Sequence, residues 1–428
     1  MRNPYVIGAF VTGREHYGRE ALLSTVLEGQ SRAHWIVGNR RVGKTSLLRQ
    51  IEFLASDAGG LIPLYWDMQG CVSYADLGRC LADAVRDHLV RFAPLGLSPA
   101  LADEQDALTL LTHVRRLAVR ANGELLLLCD EPEALLGIAA KEPAAMQRLH
   151  RVLTGGAGVR SVMASTRAIY RFYDVCRDWP TSPFLGGFDM SHTVGSLAAT
   201  DARKLILRSQ APRGGRMKAP AAVISAIKDA TNNHPLLLQL LCSRLLLEDG
   251  SLRMPSDTDL RVDSMIASFL EYDFRQLTKA DRELLLSIYQ IHRANPRELQ
   301  RMDFEHPAEL KQRVANLEAL GYLRRMGASL AIGNVFLQNW LETQVRTLPH
   351  VPSMQTSSDA MRTVFARQRE HDTSSLVLQL NLRRARLVEL EGVRAQELLG
   401  ASPSVLAEIR QLEQEITNLR ELLRRRSA

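Results

Sequence analysis

The chain has 428 residues, with 54 basic and 47 acidic side chains for a formal net charge of +7, and 46% of it is hydrophobic. That length suggests about two or three domains with ample material for a buried core, and the charge excess permits contact with nucleic acid without arguing for it. The longest purely apolar run, Leu125–Cys129, is far too short to span a bilayer, and five scattered cysteines without a C-x-x-C pair argue against structural zinc and for a reducing compartment.

In chain order, Met1-Arg2-Asn3-Pro4 leads directly into mixed polar sequence, which predicts no targeting segment and a cytoplasmic protein. Short apolar strands then alternate with amphipathic helices. Strands are expected at His34–Gly38, Leu61–Asp67, Glu124–Asp130 and Val159–Ser165, with a further one at Thr193–Leu197. Helices are expected at Thr45–Ala55, Tyr74–Phe92, Asp106–Ala121 and Pro143–Leu153. This βαβα order implies an α/β core, residues 1–198, built on a parallel sheet with helices on both faces. The near-continuous apolar run Leu125-Leu126-Leu127-Leu128 suits a strand buried on both sides.

Beyond Thr200 helices dominate. Asp201–Ser209, Ala221–Ala230 and Pro235–Glu248 predict a helical lid over residues 199–262. From Asp263 to residue 345 the pattern is that of a winged helix: Thr278 caps a helix, Pro296 starts a short one, Glu309–Leu320 forms another, and Tyr322–Ile332 reads as two strands around Gly327. Residues 346–374 read as a polar linker. Residues 375–428 read as an antiparallel helical hairpin with a coiled-coil seam, because Val405, Ile409, Leu412, Ile416, Leu419 and Leu423 follow a heptad spacing.

The chemistry concentrates at Gly38-Asn39-Arg40-Arg41-Val42-Gly43-Lys44-Thr45, which fits G-x-x-x-x-G-K-[ST] between a strand and a helix. In that setting backbone N–H groups cradle phosphate, Lys44 reaches the β/γ-phosphates and the Thr45 hydroxyl binds Mg²⁺. An apolar strand ending in Asp130-Glu131 supplies the complement. Asp130 would hold the metal through its water shell, and Glu131 would polarise the attacking water. Arg167 or Ser165, at the end of the fourth strand, opens beside the phosphate loop and could sense the γ-phosphate. Of Arg40 and Arg41, one could face an acidic neighbour instead of the nucleotide.

Read together, Tyr17-Gly18-Arg19-Glu20, the loop Gly38 to Ser46, Cys129-Asp130-Glu131 and His234-Pro235 resemble the STAND-type ATPases, the signal-transducing branch of the AAA+ superfamily, especially archaeal-ATPase-like members. The resemblance spans roughly residues 3–345. It implies ATP and Mg²⁺ clamped between sheet and lid, with Tyr17, Gly18 and Arg19 against adenine. Gly38, Arg41, Val42, Gly43, Lys44, Thr45 and Ser46 would hold the phosphates, and Pro235 would touch the base or ribose. Arg167 matches an arginine that many relatives place after the fourth strand. Asn233-His234-Pro235 departs from the usual glycine-initial lid motif. No arginine finger stands out, so hydrolysis would need a neighbouring subunit or be slow.

In such proteins the winged helix usually packs on the ATPase core as a switch element. The function implied is an ATP-dependent switch that changes assembly or partner binding with nucleotide state. It would act as a homo-oligomer and engage a protein effector through the C-terminal helices, as in bacterial conflict or antiviral systems built from separate parts. The alternative is a DNA-associated AAA+ ATPase, a loader or transposition-type regulator using the winged helix. Arg313, Arg324 and Arg325 are interleaved with Glu309 and Glu318, however, and form no dense basic stripe.

Overall fold

The computed structural model describes residues 3–98, 106–155, 157–177, 187–188, 191–212, 215–295, 298, 307–346 and 414. The chain divides into two compact units, Met1–Leu341 and Glu342–Ala428. The expected linker and helical hairpin lie outside the described residues, Gln414 excepted, as does the short helix expected at Pro296.

Unit one is built on a five-stranded parallel sheet of order β2-β3-β4-β1-β5. Its strands are β1 (Ala33–Val37), β2 (Leu61–Asp67), β3 (Glu124–Asp130), β4 (Val159–Ser165) and β5 (His192–Thr193). Alternate residues of β3 enter different cores. Leu125, Leu127 and Cys129 join Trp35, Trp66 and Met163 on one face, while Leu126 and Leu128 join Ile36, Leu47 and Ile51 on the other. A strand flanked by helices on both faces loses most of its apolar surface to the interior, which explains four consecutive leucines.

Helix α1 (Glu20–Glu28) precedes the sheet, α2 (Lys44–Ala58) follows the phosphate loop, and α3 (Tyr74–Asp87) follows β2. The helix expected over Tyr74–Phe92 is broken at His88, whose Nδ1 lies 2.7 Å from the Ala84 carbonyl and whose Nε2 lies 2.9 Å from Glu52. β5 is shorter than the expected Thr193–Leu197. Among the described residues it pairs only with Ile36 and Val37 of β1, and at Gly195 a Cβ would stand 2.1 Å from the Ala319 carbonyl oxygen. The chain leaves the sheet at that close approach.

Helices Ala199–Ile206, Ala221–Thr231 and Pro235–Leu245 follow. Next come Ser264–Gln276, N-capped by Asp263, and Lys279–Gln290, N-capped by Thr278. Helix Pro307–Ala319 leads into the antiparallel hairpin β6 (Leu323–Met326) and β7 (Ser329–Ile332), and helix Val335–Arg346 follows. One hydrophobic core unites these pieces. It runs from Tyr5 and Tyr17 through Leu237 and Leu241 to Leu285, Tyr322 and Leu341, crossing the expected boundary at 262/263.

Candidate functional site

The glycine loop connects β1 to α2. Gly43 sits at φ 96° and Arg41 at φ 61°, a left-handed path that reverses the chain into the helix. Gly43 as N-cap offers no side chain, so the first-turn N–H groups of α2 keep their capacity for an anion. Lys44 is buried and its Nζ donates to the Gly38 and Asn39 carbonyls, each at 3.1 Å. The ammonium thus lies inside the curl of its own loop. Arg41 stands exposed.

Parallel pairing brings the end of β3 to the same edge. Thr45 Oγ1 donates to Asp130 Oδ2 at 2.7 Å, and the carboxylate is nearly inaccessible. A hydroxyl and a carboxylate, oxygen donors only, suit a hard cation such as Mg²⁺, which is held by one or two protein groups plus phosphate and water. Residues present therefore fit Mg²⁺, with Thr45 and Asp130 as its holders, and fit a phosphate chain along Gly38–Ser46. Bound there, Mg²⁺ would supply charge neutralisation at the phosphates.

Glu131 has a left-handed backbone, φ 51°, and its N–H donates to Asp130 Oδ1 at 3.2 Å. Burial raises its carboxyl pKa, nearby Glu133 adds to this, and Lys44 opposes it. Glu133 itself accepts from the Thr166 N–H and so ties the loop after β3 to the end of β4.

β4 lies directly beside β1, so Arg167 emerges next to the phosphate loop as the strand pattern implied. Its Nη1 sits 3.6 Å from Asp281 Oδ2 on the Lys279–Gln290 helix. Asp281 also accepts from Arg313 at 3.0 Å. Ser165, the other sensing candidate, accepts from Trp35 Nε1 at 2.9 Å inside the core. Of the two loop arginines, Arg40 faces away from the phosphate cradle. Its N–H donates to Asp273 Oδ1 at 3.1 Å, and its guanidinium lies 3.6 Å from the centre of the Tyr272 ring. Burial pushes the Asp273 carboxyl up to about 7, against the opposing pull of the Arg40 N–H and of the charges on Lys44 and Arg40. The acids Asp273 and Asp281, on helices Ser264–Gln276 and Lys279–Gln290, therefore meet Arg40 of the glycine loop and Arg167 after β4.

On the lid side, Gly18 has φ +78° and a Cβ there would stand 2.9 Å from Asp201 Oδ2, so glycine is demanded twice over. Arg19 donates to the Gly195 and Ser196 carbonyls, and Leu197 N–H to the Asn233 carbonyl at 3.0 Å. This brings the Tyr17–Glu20 segment to the turn before Pro235, the first residue of its helix. His234 stacks on Phe269, and burial followed by the Arg19 charge lowers its pKa to about 4, so its ring is neutral. Residues 3–13 strap both sides together. Asn3 reaches Ser243 and Val6 reaches Gln239 on the lid, while Val11 N–H donates to Ser46 and Gly13 N–H to Gln50 on α2.

Sequence reasoning missed Tyr65, which donates to Asp130 Oδ2 at 2.8 Å, and it missed Asp273 and Asp281. A tyrosine two residues before the end of β2 gave no signal by itself. The acids sit in ordinary helical sequence, Asp281 three residues past its cap as any first-turn acid is.

Sheet order, glycine loop and strand-end carboxylate together define an α/β P-loop core. Among solved structures the chain is similar to the Walker-type ATPase PABY2304 of Pyrococcus abyssi, at 14% identity and TM-score 0.58, covering 79% of this chain and 99% of that one. The ORC2 protein of Aeropyrum pernix also matches, at 14% identity and TM-score 0.44, over 77% of this chain and 94% of that one. No protein-family model matches the chain, and no curated protein matches it in sequence. Among the described residues, no helix is long and apolar enough to cross a membrane.

Proposed function

We propose that the chain is an ATP-binding and ATP-hydrolysing switch of STAND type, in which the γ-phosphate and the winged-helix segment compete for Arg167. The observation that carries this reading is the 3.6 Å approach of Arg167 to Asp281, made while Asp273 holds the Arg40 N–H of the phosphate loop. A γ-phosphate offers Arg167 a doubly charged partner, whereas ADP offers none at that place. ATP would therefore loosen the grip of helices Ser264–Gln276 and Lys279–Gln290, and ADP would leave it intact, which is the differential contact a switch requires.

Released C-terminal surface would promote self-association or meet a protein effector through the helices after residue 346, in a cytoplasmic signalling or defence system built from separate parts. Arg313 binds Asp281 and Glu309, Arg325 binds Glu318, and Arg324 binds the Asp229 carbonyl. These engagements give the duplex-DNA reading no support.

The test compares ATP and ADP binding to the wild-type chain and to Asp281→Asn. Freed from its acidic rival, Arg167 should bind the γ-phosphate better, so ATP affinity rises about tenfold while ADP affinity stays put. An unchanged ATP-to-ADP ratio would sink the competition, and a wild-type chain that binds neither nucleotide would sink the whole reading.

A further inference from the structure

The Asp130 carboxylate is held more firmly than a P-loop and a strand-end acid require. Its Oδ2 accepts two hydroxyl protons, from Thr45 at 2.7 Å and from Tyr65 at 2.8 Å. Its Oδ1 receives only the longer Glu131 N–H among these contacts, at 3.2 Å, and so keeps acceptor capacity for a further donor. Thr45 belongs to the phosphate-loop pattern. Tyr65 does not: it stands on β2, paired in register with Leu128 of β3, two residues before the Asp67–Asp130 pair.

The Tyr65 ring is locked. It is 7% exposed, packed in the core that α2 forms with the sheet, and covered by the Arg49 guanidinium 3.3 Å from the ring centre. Arg49 is fixed in turn by Glu52 at 2.8 Å. A carboxylate turned by two donors on one oxygen has a defined plane before any ligand arrives, and losing a partner of this kind typically costs about 10- to 100-fold in metal affinity.

We infer that Tyr65 is a positioning residue for the nucleotide-bound divalent cation, acting through its hydrogen bond to Asp130. The inference rests on the nucleotide-binding reading above. Tyr65 touches neither nucleotide nor metal in this role. It sets the orientation in which Asp130 meets the waters of the cation, and it shares the Oδ2 position with Thr45, whose hydroxyl oxygen is needed by the cation itself.

The experiment titrates Mg²⁺ into the full chain with a fluorescent ATP analogue and reads binding, so turnover is not needed. Tyr65→Phe keeps the ring under Arg49 and removes one hydroxyl. The Mg²⁺ concentration for half-maximal binding should rise about tenfold, while analogue affinity at saturating Mg²⁺ changes less than about twofold. In an Asp130→Asn background the same change should shift the midpoint little, because the acceptor it orients has lost its charge; this second comparison separates positioning from a general loss of fold. A Tyr65→Phe titration that superimposes on wild type refutes the inference alone. An equal shift with and without Asp130 refutes it too, since the hydroxyl would then act by another route. A wild-type chain that binds no analogue at any Mg²⁺ concentration refutes the nucleotide reading, and the inference with it.

Discussion

Asp273→Asn tests the contact between helix Ser264–Gln276 and the phosphate loop through its pH dependence. Asp273 is 5% exposed, and its carboxyl is pushed from the ordinary 3.8 up to about 7, first by burial. Between these values the folded chain keeps a proton that the unfolded chain has released. Stability is therefore full below pH 3.8 and is lost as pH rises toward 7. A gap of about three pH decades at 1.36 kcal/mol each corresponds to about 4 kcal/mol. Asparagine is neutral throughout and still presents a carbonyl to the Arg40 N–H. Urea unfolding from pH 4 to pH 8 should show the two proteins nearly equal at the acid end. At the alkaline end the variant should be more stable by up to about 4 kcal/mol. Curves that run parallel across the whole range would refute the reasoning, because Asp273 would then ionise in place without penalty.

Two other substitutions probe separate parts. Glu131→Gln keeps the side-chain length and the left-handed backbone demand, so nucleotide binding should persist while phosphate release falls at least about a hundredfold; unchanged release would remove Glu131 from the chemistry. Glu52 is partly desolvated, but hydrogen bonds from His88 and Arg49 more than offset this and hold it down at about 2. Glu52→Gln should cost about 2 to 3 kcal/mol at pH 7 in denaturant unfolding. Because the lowered carboxyl stabilises the fold above pH 4.5 and loses that contribution as pH falls toward 2, the variant should also show a shallower acid limb.

Much of the core was legible because its signals are local. The strands Leu61–Asp67, Glu124–Asp130 and Val159–Ser165 have the expected limits, and the Thr45–Asp130 pair follows from placing a glycine loop and a strand-end acid on one parallel sheet. What escaped depends on distant partners. α1 is helical although Thr25 and Val26 are β-branched, since burying Leu23 and Val26 outweighs propensity. Helices Ala134–Lys141 and Val335–Arg346 were likewise unread. Asp281 looks in sequence like a first-turn acid after Thr278, and only folding brings it to Arg167. Tyr65 reads as one more apolar strand residue until β2 is laid beside β3. No local pattern announces a contact made across more than sixty residues of chain.

The strap formed by residues 3–13 carries a practical consequence for handling the protein. Asn3 and Val6 are anchored on the helix that Pro235 begins, and Val11 and Gly13 on the helix that Lys44 begins. A gene trimmed to start at α1 would keep every phosphate-loop residue, yet it would strip Gln239 and Gln50 of these partners and remove one of the ties between lid and core. Such a shortened protein would report on a looser clamp.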